Sequence, residues 1–329
     1  MSEEAKNEKQ GNDNPTQKSP SAARPSRRRK RPPRPESKAE ASDSVASVEE
    51  NPETAQRARS PRKKQPAMPE IKPTITHVRE LKGKRPIIGL TAYDAIMGKL
   101  VSDAGVDFIL VGDSVGTTLL GYETTIPVTI EDMVRHTAAV RRSKPGCLLV
   151  ADLPFGEASL SFDRLLESCR RLMQEGGADA VKIEGGRDLA DDIEKLVATG
   201  IPVLGHIGLL PQTVKAIGGY RKFGVKREEA ERLYTDAISL EEAGCFAVIA
   251  EMIDDKVATE LSRQIIPPLI GIGSGPDCDG QILVTHDLLG LTPQGVPSFV
   301  KPYLNLGREA SSALGRYVSD IRGRGLGKR

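Results

Sequence analysis

The sequence predicts an α/β chain built around one (β/α)8 TIM barrel, and three observations carry the prediction. Eight short apolar runs recur from residue 85 onward, each rich in Val, Ile and Leu and bounded by Gly, Pro or Asp. Such runs are the mark of parallel strands buried on both faces. Amphipathic stretches of helical period lie between several of them. The segment that holds them, 69–329, is 261 residues long, close to the ~250 typical of such a barrel.

The runs, in order, are PIIGLTA (86–92), DFILVGD (107–113), CLLVADL (147–153), AVKIEGG (180–186), PVLGHIG (202–208), FAVIAEM (246–252), PLIGIGS (268–274) and GQILVTHD (280–287). Between the second and third, Thr129-Ile-Glu-Asp132 has the form of a capping box, with Asp in place of Glu, and opens a helical stretch to Arg142. From Ser161 to Gly176, Leu165, Leu166, Cys169, Leu172 and Met173 fall at helical spacing before a Gly-Gly stop. From Arg227 to Ala243, Ala230, Leu233, Tyr234, Ala237, Ile238 and Leu240 do the same before Gly244. Only residues 275–279 separate the last two runs, too few for a crossover helix. A doubly wound open sheet is therefore the alternative.

Residues 1–68 differ in kind. They hold 16 Lys and Arg against 10 Asp and Glu, a balance of +6, while residues 69–329 hold 31 against 35, a balance of −4. They also hold 9 of the 23 prolines and no aromatic residue. A segment of this composition buries too little apolar surface to offset the entropy of ordering it. It is expected to be a disordered basic tail ahead of a 69–329 catalytic domain.

Several function classes are excluded. No stretch approaches the ~20 apolar residues that span a bilayer, and the first ten residues, MSEEAKNEKQ, have no apolar core for a secretory signal. Cys147, Cys169, Cys245 and Cys278 form no CxxC pair, so neither a disulfide framework nor a zinc site is expected, and a cytoplasmic setting fits. The run Arg27-Arg28-Arg29-Lys30-Arg31 is able to touch phosphates by charge alone. Without Trp, and with aromatics at 4%, the chain lacks a base-stacking platform, so a nucleic-acid partner is not expected beyond the tail.

Chemistry in a barrel gathers at the C-terminal ends of the strands. There the runs carry Asp113-Ser114, Asp152, Lys182 with Glu184, His206, Glu251, and His286-Asp287. Each has a plain structural reading. Asp113 or Ser114 would cap the next helix, Lys182 and Glu184 would form a buried ion pair, and Glu251 would favour a following helix dipole. His206, like His136, would be a packing histidine, and His286 and Asp287 are taken as structural. The glycine-rich IGIGSG (270–275) lacks the Lys-Ser/Thr of a phosphate loop and reads as a barrel turn.

Charged residues inside several apolar runs are nonetheless costly unless paired or bound to metal. Asp113, Asp152 and Glu184 make an all-oxygen ligand set that suits Mg²⁺ rather than Zn²⁺. A Mg²⁺ site with open positions fits a 2-keto acid, Lys182 would offset the substrate's charge, and a carboxylate on a neighbouring strand would serve as base.

The motifs TAYD (91–94), VGDSVG (111–116), TIPVTIEDM (125–133), HTAAVRR (136–142), LLVADLPF (148–155), VKIEGG (181–186), GHIGLLPQ (205–212), GGY (218–220) and IGIGSGPDCDGQILVTHD (270–287) resemble those of the ketopantoate hydroxymethyltransferase family. The resemblance runs from about residue 71 to about 307. It implies a Mg²⁺-dependent (β/α)8 barrel that transfers a one-carbon unit from 5,10-methylenetetrahydrofolate to 3-methyl-2-oxobutanoate, giving 2-dehydropantoate for pantothenate biosynthesis. It implies metal contacts at Asp113, Asp152 and Glu184, and substrate contacts at Asp113, Ser114, Asp152, Lys182 and His206. Glu251 becomes the proton acceptor, and a homodecamer is the expected assembly. Glu157, Ser274 and Cys278 depart from the pattern, in loops that bear on the folate side.

Two other functions compete with this one. A Mg²⁺-dependent carbon–carbon lyase or mutase of the phosphoenolpyruvate/pyruvate barrel type would use a similar keto acid centre. An idle barrel whose tail binds nucleic acid would not need the full carboxylate set.

Overall fold

The computed structural model describes residues 74–292 and 295–323; the expected tail, 1–68, lies outside them. In order, the elements are α1 (Ile75–Glu80), β1 (Ile87–Thr91), α2 (Ala95–Asp103), β2 (Phe108–Val111), α3 (Val115–Thr118), α4 (Ile130–Arg142), β3 (Leu148–Asp152), α5 (Phe162–Gln174) and β4 (Ala180–Glu184). They continue as α6 (Ala190–Ala198), β5 (Val203–Gly208), α7 (Val214–Ile217), α8 (Arg227–Glu242), β6 (Ala247–Glu251), α9 (Asp255–Gln264), β7 (Leu269–Ile272), β8 (Gly280–Leu283), α10 (Thr285–Leu288) and α11 (Leu306–Gly323).

The eight strands close into a parallel barrel in sequence order. Closure pairs Ile87 with Gly280 and Gly89 with Ile282, which removes the open-sheet alternative. Each strand lies within one of the apolar runs. The short step also has its explanation. The segment 273–279 returns from β7 to β8 without a helix, and the two strands still pair in parallel, Ile270 with Gly280. Each has four residues, so the return covers only ~13 Å at ~3.3 Å per residue.

Alternation along the strands builds two apolar layers. Ile87, Phe108, Leu148, Leu204, Ile270 and Ile282 fill the barrel, joined by Val78 and Leu81 of α1. Ile109, Leu149, Val181, Val203 and Val248 face outward onto helix residues such as Leu165, Leu172, Leu240 and Leu261. The capping box at α4 forms with its Asp: Thr129 Oγ1 accepts the Asp132 N–H, and Asp132 Oδ2 accepts the Thr129 N–H. Helices α2, α6, α9 and α11 add to the three helical stretches read from the sequence. No helix among the described residues is long and apolar enough to cross a membrane, and the four cysteines are free thiols.

Candidate active site

The strand register brings the acids together. Asp152 ends β3 opposite Lys182 of β4, and Glu184 ends β4 opposite His206 of β5. Glu251 ends β6 opposite Gly208. Asp113 follows β2 by two residues. One carboxylate oxygen each from Asp113, Asp152 and Glu184 lies within 4.8 Å of the others. With Lys182, His206 and Glu251 they line a pocket at the C-terminal end of the barrel.

Lys182 holds the centre of the cluster. Its Nζ donates to Asp152 Oδ2 at 2.7 Å and Oδ1 at 2.8 Å, and to Glu184 Oε1 at 3.4 Å. Burial works against the ammonium, but the charges of Asp152, Glu184 and Asp113 outweigh it and hold its pKa above the ordinary lysine value. Burial likewise opposes the charged form of Glu184, and the nearby Lys182 reverses this and holds the carboxyl below its usual range. Asp113 is the strained member. Burial, then the charges of Asp152 and Glu184, push it well above the ordinary carboxylate range, because no cation bonds it directly.

That charge pattern fits a divalent cation. The three donors are all carboxylates, hard ligands of the kind Mg²⁺ takes, and they stand close enough to share one ion. Added positive charge there would relieve the repulsion that raises Asp113.

His206 is buried between two acids. Its Nδ1 lies 3.6 Å from Glu184 Oε1 and its Nε2 lies 3.3 Å from Glu251 Oε2, yet neither ring nitrogen makes a well-aligned hydrogen bond. Burial and the Lys182 charge oppose protonation of the ring, and the two flanking carboxylates overcome both and raise its pKa. Glu251 is more open than its neighbours, with 15% of its side chain exposed, so it meets the mouth of the pocket.

The capping alternatives fail on geometry. Ser114 stands at the start of α3 but makes no side-chain cap; its Oγ is instead 2.8 Å from the Tyr93 hydroxyl. The Asp113 carboxylate accepts from Gln212 Nε2 rather than from α3. The helix after β6 is capped by Asp254, leaving Glu251 free of that task. Lys182 and Glu184 do form a buried ion pair, as the structural reading held, but within a larger cluster.

Other sequence candidates fall elsewhere. His136 Nδ1 is 2.7 Å from the Tyr93 carbonyl oxygen, and the His286 ring lies against the Tyr93 ring with centroids 5.3 Å apart. Thr292 donates to Asp287. Two of the atypical residues make intramolecular hydrogen bonds that tie their loops to the barrel. Glu157 accepts from Arg164 at 2.7 Å and from Ser168, pinning its loop to α5. Ser274 accepts the Ile253 N–H and donates to Ala250 O at 2.8 Å, joining the ends of β6 and β7.

Reading the strand ends missed Gln212 and Tyr220. Gln212 donates its backbone N–H to Glu184 Oε2 at 3.1 Å and its side-chain amide to Leu153 O at 2.8 Å. Tyr220 feels burial and the charges of Glu251, Asp113 and Glu184, which raise its hydroxyl pKa. Gln212 lies in the short 3-10 turn Pro211–Thr213 and Tyr220 on a loop, inside the quoted motifs GHIGLLPQ and GGY, where no strand periodicity marks them.

Comparison with known proteins places this geometry in context. The family model described as ketopantoate hydroxymethyltransferase matches residues 72–327. A 3-methyl-2-oxobutanoate hydroxymethyltransferase of Thermus thermophilus is 48% identical over 249 residues, 76% of this chain and 95% of that protein. One of Shouchella clausii is 46% identical over 254 residues, 77% of this chain and 91% of that protein. Among solved structures, phosphoenolpyruvate phosphomutase from Streptomyces platensis is similar in fold, with a TM-score of 0.51 and 14% identity over 76% of this chain and 88% of that one. Phosphonopyruvate hydrolase, solved with oxalate and Mg²⁺, gives a TM-score of 0.51 and 13% identity over 76% of this chain and 88% of that one.

Proposed function

The chain belongs to the ketopantoate hydroxymethyltransferase family, so it transfers a hydroxymethyl group to 3-methyl-2-oxobutanoate, and we propose how its residues do so. The observation that carries the proposal is the convergence of Asp113, Asp152 and Glu184 within 4.8 Å, beside Lys182 and facing Glu251. These three acids would hold Mg²⁺. Bound there, Mg²⁺ would supply positive charge beside the keto and carboxylate oxygens of the substrate and make its C3–H more acidic.

The substrate would lie against Asp113, Ser114, Asp152, Lys182 and His206. Lys182, kept protonated by its three acids, would balance the substrate carboxylate. Ser114, oriented by the Tyr93 hydroxyl, would orient its oxygens. Glu251 would accept the C3 proton on one carboxylate oxygen, with His206 Nε2 beside it at 3.3 Å to stabilise the carboxylate by charge. C3 then forms a carbon–carbon bond to the methylene carbon of 5,10-methylenetetrahydrofolate, and that carbon's bonds to N5 and N10 both break. Water supplies the oxygen of the new hydroxyl; its two protons and the one taken from C3 end on that hydroxyl and on N5 and N10, so tetrahydrofolate leaves with 2-dehydropantoate as product.

The same reading makes 69–329 the catalytic domain of a cytoplasmic homo-oligomer, a decamer by family resemblance. The test is formation of 2-dehydropantoate from the two substrates with and without Mg²⁺. Product that requires both folate and Mg²⁺ supports the reading. Cleavage of a keto acid without folate would favour the lyase or mutase alternative, toward which the distant structural likeness speaks for fold alone.

A further inference from the structure

A second slot opens on Glu251, beside the pocket of the clustered acids. It shares Asp113, Ser114 and Glu251 with that pocket, but Asp152, Lys182, Glu184 and His206 do not reach it. Two aromatic rings, Tyr220 and Phe299, line it together with aliphatic side chains such as Ile272 and Val284. Among the described residues its lining carries no lysine, arginine or histidine, only the carboxylates of Asp113, Glu251 and Asp287. A second acidic group would be repelled there. A flat, uncharged ring that brings N–H donors would not.

The aromatic wall is held by the backbone. Val300 N–H donates to Pro297 O at 2.9 Å and Tyr303 N–H to Leu288 O at 2.8 Å, which ties the segment 297–303 to α10. Gly273 makes room for the ring beneath it: its φ is +63°, and a Cβ there would stand 3.0 Å from Phe299 Cδ1.

Two polar groups of the slot have no work within the protein. Thr125 is 3% exposed, and its Oγ1 is buried with no hydrogen-bond partner among the described residues, a rare state unless a ligand or water completes it. Asp287 is also buried, and its carboxylate takes a hydrogen bond from the Thr292 hydroxyl on Oδ1. An ionised carboxylate has about four lone-pair sites, so most of its accepting capacity is open. Burial raises its pKa, and N–H donors arriving with a ligand would favour its charged form.

We propose that this slot binds the pterin ring of 5,10-methylenetetrahydrofolate, with Asp287 accepting the pterin's amino group and adjacent ring N–H, and the Thr125 hydroxyl bonding a further polar atom of the ring edge. This rests on the reading of the chain as a folate-dependent hydroxymethyltransferase. On that reading the methylene carbon must meet C3 of the keto acid where Glu251 takes its proton, and the slot opens on Glu251 without passing Lys182. Tyr220 and Phe299 offer the faces against which a flat heterocycle stacks.

The test compares the Mg²⁺-loaded parent with Asp287→Asn and Thr125→Val. The KM for 5,10-methylenetetrahydrofolate should rise by about 10–100-fold in Asp287→Asn and by about fivefold in Thr125→Val. Exchange of the keto acid's C3 proton into D₂O, followed without folate, should stay at the parent rate in both. Tetrahydropterin, the ring without its aminobenzoyl-glutamate arm, should compete with the folate in the parent and lose that competition in Asp287→Asn. A parent-like KM for folate in both variants would overturn the assignment. So would an exchange rate that falls in step with the KM, since the damage would then lie in the keto acid pocket. If Asp287→Asn fails to fold, Thr125→Val carries the same comparison. A parent that exchanges the C3 proton but makes no product with folate would overturn the folate reading itself, and the slot with it, before any variant is measured.

Discussion

Gln212 donates its side-chain amide to Asp113 Oδ2 at 3.1 Å across 99 residues of sequence, and its backbone N–H to Glu184 Oε2. One residue on the loop after β5 thus fixes two of the three clustered acids. Groups that orient metal ligands typically account for 10–100-fold in affinity. Gln212→Ala should weaken Mg²⁺ binding by about that factor, measured by calorimetric titration, with the melting temperature little changed. Unaltered Mg²⁺ affinity would rule out the positioning role.

Asp113 is raised well above the usual carboxylate range by burial and by Asp152 and Glu184, so ionising it in the metal-free protein costs stability. Asp113→Asn keeps the shape and removes that charge. In the absence of divalent cation the variant should melt higher by about 2–4 °C. The rise that Mg²⁺ gives the parent protein should be largely lost, along with turnover. Differential scanning calorimetry with and without Mg²⁺ checks both, and a variant that melts lower in metal-free buffer would contradict the repulsion argument.

Glu251→Gln retains size and hydrogen bonding but not basicity. It should still bind Mg²⁺ and keto acid, yet lose turnover by about 10²–10⁴-fold together with exchange of the substrate's C3 proton into D₂O. Exchange, followed by NMR, isolates the proton step from the folate step. Exchange at the parent rate would remove Glu251 as base and point to His206, whose Nε2 is its neighbour.

Gly208 sets the Glu251 backbone. Its φ is +96°, and a Cβ there would stand 2.2 Å from the Glu251 carbonyl oxygen. Gly105 also has a positive φ, +86°, but its Cβ would meet open space. Both Ala variants should lose ~1–3 kcal/mol of stability from backbone strain. Only Gly208→Ala should also lose turnover, because β5 must shift against the end of β6. Equal activity losses in the two variants would show that strain alone is responsible.

The sequence by itself determined the barrel and marked the strand-end residues that the fold gathers into one pocket. Local runs of Val, Ile and Leu mark buried strands, and a charge inside such a run is costly enough to signal a purpose, which is why Asp152, Lys182, Glu184 and Glu251 were legible from their positions at strand ends. Composition likewise separated residues 1–68 from the rest. What the linear order could not decide was which side chains meet. Parallel register set Lys182 against Asp152, and loop closure carried Gln212 back over the acids; neither leaves a periodic trace. The same holds for the barrel seam. Its closure through the short return 273–279 depends on the reach of two four-residue strands.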